Sequence, residues 1–320
     1  MIKISSNPKK TPVIIDTDMA PDDWTAILYM AKRNDILVKA ITISGTGEAH
    51  GEKGARNCLR LLKIIDREEI PVSYGESKPL NCAHRFPRIM RFAVDGRLFI
   101  KFPKTNQKLK EINALELMYQ IINSSTEKII LLCIGPLTNF ANLLLKYPQI
   151  KEKIERIYIM GGAVDVKGNI QDVSKSIENL YAEWNIYCDP HAANIVFQSG
   201  ISIVLIPLDV TNKLPITPEF VHKLKQNQDN KICRFLMKIM KRFGKRIEKG
   251  NIALWDLIAA VIIKAEDIYK TETRQIRIIE REGPESGRLV DDLKDGAKIE
   301  VCKEIDKKEY YSRFLQTILS

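Results

Sequence analysis

An open, mostly parallel α/β sheet with helices on both faces is the fold this sequence predicts, and three observations predict it. Short apolar runs alternate with longer amphipathic ones along most of the chain. The two kinds follow one another in the order strand, helix, strand, which is the order of a doubly wound, Rossmann-like sheet. The chemically unusual residues fall just beyond the carboxyl ends of the apolar runs, where such sheets place their ligands.

Val13 to Ile15, Leu37 to Ile43, Ile129 to Ile134, Ile157 to Met160 and Ile203 to Pro207 read as buried parallel strands. Between them, Trp24 to Lys32, Lys53 to Ile65, Asn113 to Asn123, Thr138 to Leu145 and Pro190 to Gln198 have the apolar spacing of covering helices. From Gly75 to Lys110 the periodicity fails and Pro, Arg and aromatic residues gather around Ala83-His84-Arg85-Phe86-Pro87, so this stretch reads as a loop or lid. Ala163 to Asn179 is polar and aperiodic, a second loop over the same rim. After Pro207 the alternation loosens into long helices; Arg274 to Glu280 and Lys298 to Ile305 then read as late strands, and Lys307 to Leu319 as a closing helix. With no repeat, linker or boundary visible, residues 1–320 read as a single domain.

Composition removes several classes. The formal charge is +10, but Lys and Arg are scattered, and the densest stretch, Lys231 to Lys249, lacks interleaved stacking aromatics. It reads as a solvated helix face, with no nucleic-acid partner. The six cysteines form no C-x-x-C pair and read as reduced core thiols. Met1 to Lys10 has no apolar signal segment, and no stretch approaches the about 20 apolar residues that cross a bilayer, so a cytoplasmic protein without membrane contact is expected.

The densest chemistry lies in Asp16-Thr17-Asp18-Met19-Ala20-Pro21-Asp22-Asp23, four carboxylates within eight positions at the end of a strand. Carboxylates this close raise one another's pKa and repel, and a hard divalent cation such as Ca²⁺ is their natural partner. Asp22 and Asp23 also suit the positive end of the following helix, which by itself would explain them as helix-start residues. A helix-loop-helix calcium site is disfavoured, because Pro21 occupies the sixth loop position, where glycine is required. Asp256, embedded in the apolar run Ile252 to Ala260, needs a buried partner, and a cation supplies one.

The segment resembles the D-x-D-x-x-x-D-D signature of the nucleoside hydrolases, Ca²⁺-dependent enzymes that cleave ribonucleosides to ribose and free base. Ile134-Gly135-Pro136-Leu137-Thr138-Asn139, Met160-Gly161-Gly162, Ala182-Glu183-Trp184-Asn185-Ile186-Tyr187 with Asp189-Pro190, and Trp255-Asp256 follow in the family's order. The resemblance implies that Asp18, Asp23 and Asp256 hold Ca²⁺ through their side chains and Ile134 through its carbonyl. It implies Asp18 as the base that deprotonates water, Asp22 on a ribose hydroxyl, Asp16 as support from behind, Glu183 and Asn185 on the 5′ and 3′ hydroxyls, and Met160 against the sugar. A further amide on the 5′ hydroxyl is Asn179 or Asn169, with Asn179 favoured because it lies closer to Glu183. A homo-oligomer, dimer or tetramer, is implied by resemblance alone.

Many relatives carry a histidine before the third carboxylate, whereas this chain has Trp255, whose indole cannot act as an acid. Trp255 matches the branch that stacks a purine, so purine ribonucleosides are the expected substrates. His84 and His50 are candidate proton donors or contacts to the base edge, and Thr46 to His50, the loop around His84 and the helices before Trp255 are expected to set base selectivity. His191, at a helix start, and His222, on a polar helix, read as structural and solvated. Taken alone, Glu183-Trp184-Asn185 also reads as a helix-capping stretch with Trp184 in the core.

Two other functions remain open. An Asp-nucleophile, Mg²⁺-dependent phosphatase would use Asp16 as nucleophile, but leaves Glu183-Trp184-Asn185 and Trp255-Asp256 without a role. A non-catalytic, Ca²⁺-dependent ribonucleoside-binding protein would keep the same residues without turnover.

Overall fold

In the computed structural model, which describes residues 9–320, nine strands form one sheet. They are β1 (Thr11–Thr17), β2 (Ile36–Ile43), β3 (Val72–Tyr74), β4 (Ile129–Ile134), β5 (Ile154–Met160), β6 (Ile203–Ile206), β7 (Tyr269–Ile278), β8 (Leu289–Asp291) and β9 (Ala297–Ile305). Their spatial order is β3-β2-β1-β4-β5-β6-β9-β7-β8. The pairs from β3 across to β9 are parallel, whereas β7 runs antiparallel to both β8 and β9. The expected mostly parallel α/β sheet is thus present, with an antiparallel edge.

The order 3-2-1-4-5-6 reverses direction between β1 and β4, the switch point at which open α/β sheets leave a crevice beyond the strand ends. Thr17 of β1 lies opposite Ile134 of β4, so the Asp-rich segment and Gly135 emerge side by side. Burial on both faces explains why these strands are continuously apolar. Val13 and Ile15 pack into one core cluster and Ile14 into the other, all with no exposure.

The helical segments agree with their spacing, with local extensions. Pro21–Lys32 begins earlier than Trp24 because Pro21 takes the first helical turn, where its missing N–H costs nothing. Asn113 caps Ala114–Ser124 by accepting from the Glu116 N–H, and Asp306 caps Lys307–Leu319. Lys231–Glu248 buries Ile232, Phe235, Leu236, Ile239 and Met240 along one stripe and leaves its cations exposed, as expected.

Three features differ from the sequence reading. Strands β3 and β8 have three residues each, too few to show a period. The segment read as a loop from Gly75 to Lys110 contains the helix Arg88–Asp95, and Ala163 to Asn179 contains Ile170–Val173. After Arg88–Asp95, residues Arg97, Leu98 and Phe99 all take left-handed backbone angles, with φ of 58°, 51° and 61°. Residues other than glycine rarely do this, at about 1–2 kcal/mol each. Met1 to Pro8, on which part of the signal-segment expectation falls, lie outside the described residues. Among the described residues, no helix is long and apolar enough to cross a membrane.

Arg33 ties the helix that follows β1 to the distant helix Trp255–Ile262. Its guanidinium donates to the Ile263 carbonyl at 2.8 Å and pairs with Asp35 at 2.6 Å. Removing it leaves buried carbonyls at a helix end without a donor. Arg33→Ala is expected to lower unfolding free energy by about 1–3 kcal/mol in denaturant titration. Hydrogen exchange should quicken first at the C-terminal end of Trp255–Ile262; unchanged protection there would show that the tie is superfluous.

Candidate active site

The turn after β1 is built to hold carboxylates. Met19 has φ of 63°, its N–H donates to Thr17 Oγ1 at 3.0 Å, and its carbonyl accepts from Trp24 Nε1 at 2.8 Å. These bonds over-determine a backbone conformation that a lone Met would avoid, and strain held in this way clusters at functional sites. The Thr17 hydroxyl donates to Asp23. Asp18 Oδ2 accepts the Glu48 N–H at 2.8 Å. Gly47 permits that approach, because a Cβ on it would stand 2.1 Å from Asp18 Oδ2.

Asp22, Asp23 and Asp256 bring carboxylate oxygens within 4.8 Å of one another, two from the first turn of Pro21–Lys32 and one from the first turn of Trp255–Ile262. Asp23 is fully buried and its Oδ2 has no hydrogen-bond partner. Burial, then repulsion from neighbouring carboxylates, pushes Asp23 and Asp256 well above the ordinary carboxylate range. Asp18 is pushed up to about 6, chiefly by burial and against the Glu48 N–H. An oxygen-only donor set with an unpartnered buried oxygen fits a hard divalent cation, whose charge would relieve both effects. Ile134, at the end of β4, lines the same cavity.

Across the cavity, Glu183 caps the short helix Trp184–Cys188 by accepting the Asn185 N–H at 2.9 Å and the Ile186 N–H at 3.3 Å. It also accepts the Gly162 N–H at 2.9 Å, and Gly162, with φ of +79°, is placed where a side chain would be strained. Burial nevertheless pushes Glu183 up to about 7. Asn185 donates to the Met160 carbonyl at 3.1 Å, which sets both residues on the cavity wall. The capping and the cavity-lining readings of Glu183-Trp184-Asn185 therefore coexist, with Trp184 only 6% exposed.

Together these residues line a cavity of about 200 Å³. Its lining is acidic in Asp18, Asp22, Glu48, Glu183 and Asp256 and apolar in Met240, Phe243 and Trp255.

Four sequence expectations are corrected. Asn179 does not reach the cavity: its Oδ1 accepts from Tyr181 and Ala182 and its Nδ2 donates to the Ser286 carbonyl at 2.8 Å, so the whole amide is engaged behind the wall. Asn169 lines the cavity instead, its Oδ1 accepting the Trp184 N–H at 3.1 Å. Thr46 is 3% exposed and joins Ser44 and Thr138 in a hydroxyl chain that ends on Asp189, one layer below the cavity. His84 stacks on Tyr187 with centroids 4.0 Å apart and bonds the Tyr187 carbonyl, which holds it off the cavity; His50 bonds Asp95 at 2.7 Å and packs near Phe92.

Asp16 lies behind the cavity wall, 3% exposed and held by Thr42 at 2.6 Å and Asn139 at 2.8 Å. Burial pushes it up to about 7. A nucleophile must reach its substrate, so this placement removes the phosphatase reading.

Trp255 lines the cavity, its Nε1 committed to Asn212 Oδ1 at 3.2 Å. Arg246 and Phe243 also line it, and the sequence reading passed over both. Their signal was the spacing Ile239, Phe243, Arg246 on one helix face, which continues the buried stripe with a cation.

The family model described as inosine-uridine preferring nucleoside hydrolase matches residues 13–312. The chain belongs to the nucleoside hydrolase family. Over 218 residues it is 38% identical to the pyrimidine-specific ribonucleoside hydrolase RihA of Klebsiella pneumoniae, a match covering 67% of this chain and 66% of that relative, slightly under two thirds of its length. Among solved nucleoside hydrolase structures, a plant enzyme superposes with a TM-score of 0.84 at 26% identity, covering 96% of this chain and 98% of the other. The purine-preferring ribonucleoside hydrolase from Gardnerella vaginalis superposes with 0.83 at 25% identity and the same coverage.

Two outcomes follow from the site geometry. Gly47→Ala is expected to displace the Asp18 carboxylate from the Glu48 N–H, visible in a crystal structure of the variant; an unmoved Asp18 would show that the loop yields instead. Glu183 keeps its proton more firmly folded, at about 7, than unfolded, at 4.5. Its raised pKa therefore contributes stability that is complete below pH 4.5 and is lost as pH rises through about 7. The melting temperature of chelator-treated wild type should fall relative to that of Glu183→Gln across this window, and a constant difference would mean that Glu183 is not perturbed.

Proposed function

We propose that the chain is a divalent-cation-dependent nucleoside N-ribohydrolase, a single domain that hydrolyses the N-glycosidic bond of ribonucleosides. The observation that carries this reading is the convergence of Asp18, Asp22 and Asp256, with Asp23 beside them, and of Glu183 and Asn185 on one cavity that is also lined by apolar and aromatic side chains. A sugar needs the first surface and a base the second.

Asp23 and Asp256, with Asp18 and the Ile134 carbonyl, would hold the cation, for which Ca²⁺ suits an all-oxygen set. When bound, it supplies positive charge that orients the ribose diol and makes a water more acidic. Asp18, fixed by the Glu48 N–H, takes a proton from the attacking water. As the bond to the base breaks, positive charge grows on the ribose ring, and Asp22 and Glu183 face it with their carboxylates. Asn185 and Asn169 orient the ribose hydroxyls, and Met160 packs against the sugar. Trp255 stacks on the base and cannot protonate it.

The names of the relatives point both ways on the base, pyrimidine-specific in one and purine-preferring in another. The aromatic and apolar lining supports purines, because Trp255 and Phe243 offer surface to the larger ring. The reading extends to a cytoplasmic homo-oligomer, with Ile89, Phe92 and Phe99, 84%, 61% and 88% exposed, as apolar surface available for assembly.

The test is reducing-sugar release from inosine, adenosine, guanosine, uridine and cytidine, with and without chelator. Hydrolysis should be abolished by chelator, and Asp18→Ala should lower kcat by ~10²–10⁴-fold. Absence of turnover from every nucleoside, with nucleosides still bound, would make the protein a binding protein.

A further inference from the structure

Arg246 is the one cation among the described residues lining an otherwise acidic cavity, shared with Asp18, Asp22, Glu48, Asp172, Glu183 and Asp256. It sits in the last turn of Lys231–Glu248, and Phe243 and Trp255 line the same cavity. No carboxylate among the described residues forms an ion pair with it, and its guanidinium's one hydrogen bond, to the Asn251 carbonyl, is long at 3.5 Å. Its charge still reaches Asp22 and Glu48, whose pKa values it pulls down against the larger effect of burial.

A second cavity opens past Trp255 and shares Arg246 with the first. Lys175 and Lys249 add two cations to its lining, against the single carboxylate Asp172. The lining of this second cavity is thus basic, while that of the first is acidic apart from Arg246. The guanidinium is exposed to solvent, so a neutral base leaves it hydrated, whereas a base bearing negative charge would give it a charged partner, in a fork geometry that suits carboxylates and imide oxygens.

We propose that the Arg246 side of the cavity selects ribonucleosides whose base carries negative charge, a selectivity that rests on the ribohydrolase reading above. Two sources of that charge are distinguishable: an ionised ring imide, as in xanthosine, and a ring carboxylate, as in orotidine. A phosphate on the 5′ hydroxyl is disfavoured, because Asp22 and Glu183 face the sugar with carboxylates.

The experiment measures binding by titration calorimetry in the presence of Ca²⁺, with hydrolysis followed in parallel. Xanthosine is compared with inosine, orotidine with uridine, and inosine 5′-monophosphate with inosine. The wild type should bind at least one anionic nucleoside ~10-fold more tightly than its neutral partner, as charge-assisted hydrogen bonding predicts. The preference should shrink with added salt. Arg246→Gln should remove it, costing the anionic ligand ~10-fold and the neutral one far less, and Arg246→Lys should restore part of it. Lys249→Gln should weaken it by a smaller factor. The arm that shows the preference, xanthosine or orotidine, identifies the source of the charge.

Equal affinity for charged and neutral bases, with hydrolysis intact, would overturn this proposal alone. So would an equal loss for both classes in Arg246→Gln, which would mean that Arg246 only balances Asp22 and Glu48. Tighter binding of the 5′-monophosphate than of inosine would also overturn it, by placing the anion site at the sugar. Failure of every nucleoside to bind or react would overturn the ribohydrolase reading, and this selectivity with it.

Discussion

Four carboxylates, Asp18, Asp22, Asp23 and Asp256, crowd together with three of them buried and Asp22 partly so, and that is the constraint around which the site is organised. Carboxylates in such a setting either take up protons or surround a positive charge. Much of the nearby architecture serves to keep them there. The left-handed Met19 turns the chain so that Asp18 leaves β1 toward the cavity, the Thr17 hydroxyl holds Asp23, and Gly47 leaves the space that Asp18 fills. The Arg33 tie keeps the helix bearing Asp256 in register with the helix bearing Asp22 and Asp23.

The sheet sets the direction of this chemistry. Because the strand order reverses between β1 and β4, the crevice lies where the Asp-rich turn and Gly135 emerge together. The Glu183 turn then faces it across the end of β5, anchored to the Gly162 N–H. One wall is therefore rigid sheet-end backbone. Met240, Phe243 and Arg246 of the long amphipathic helix add side-chain surface to the lining, and of these three only Arg246 acts on the carboxylates through its charge.

Much of this was legible in the sequence because it depends on pattern. Continuous apolar runs such as Ile129 to Ile134 announce strands buried on both faces, and a carboxylate such as Asp256 within an apolar helix announces a hidden partner. What the sequence did not disclose depends on where a side chain points. Asn179 and Asn169 both stand near Glu183 along the chain, yet one amide turns back to Ser286 and the other toward the cavity. Thr46 lies two residues before the cavity residue Glu48 in a tight turn, and two steps along such a turn change the outlook from protein interior to cavity. His84 had the chemistry for proton transfer, but Tyr187 offered it a flat face and a carbonyl. Arg246 was hidden for the opposite reason, since its one mark, the Ile239, Phe243, Arg246 spacing, is lost among the many lysines and arginines of the same helix.

The carboxylate cluster also joins distant parts of the chain. Asp22 and Asp23 belong to the first helix after the first strand, whereas Asp256 arrives only after six parallel strands have been laid down. No half of the chain contains the site, so during synthesis the early carboxylates exist without their partner until most of the protein has left the ribosome. Contacts this far apart in sequence form late, because a large loop must close before they gain anything. A ligand that recognises the assembled cluster and not its parts would act as a sensor of completed folding, drawing finished molecules out of the pool of partly folded ones by mass action.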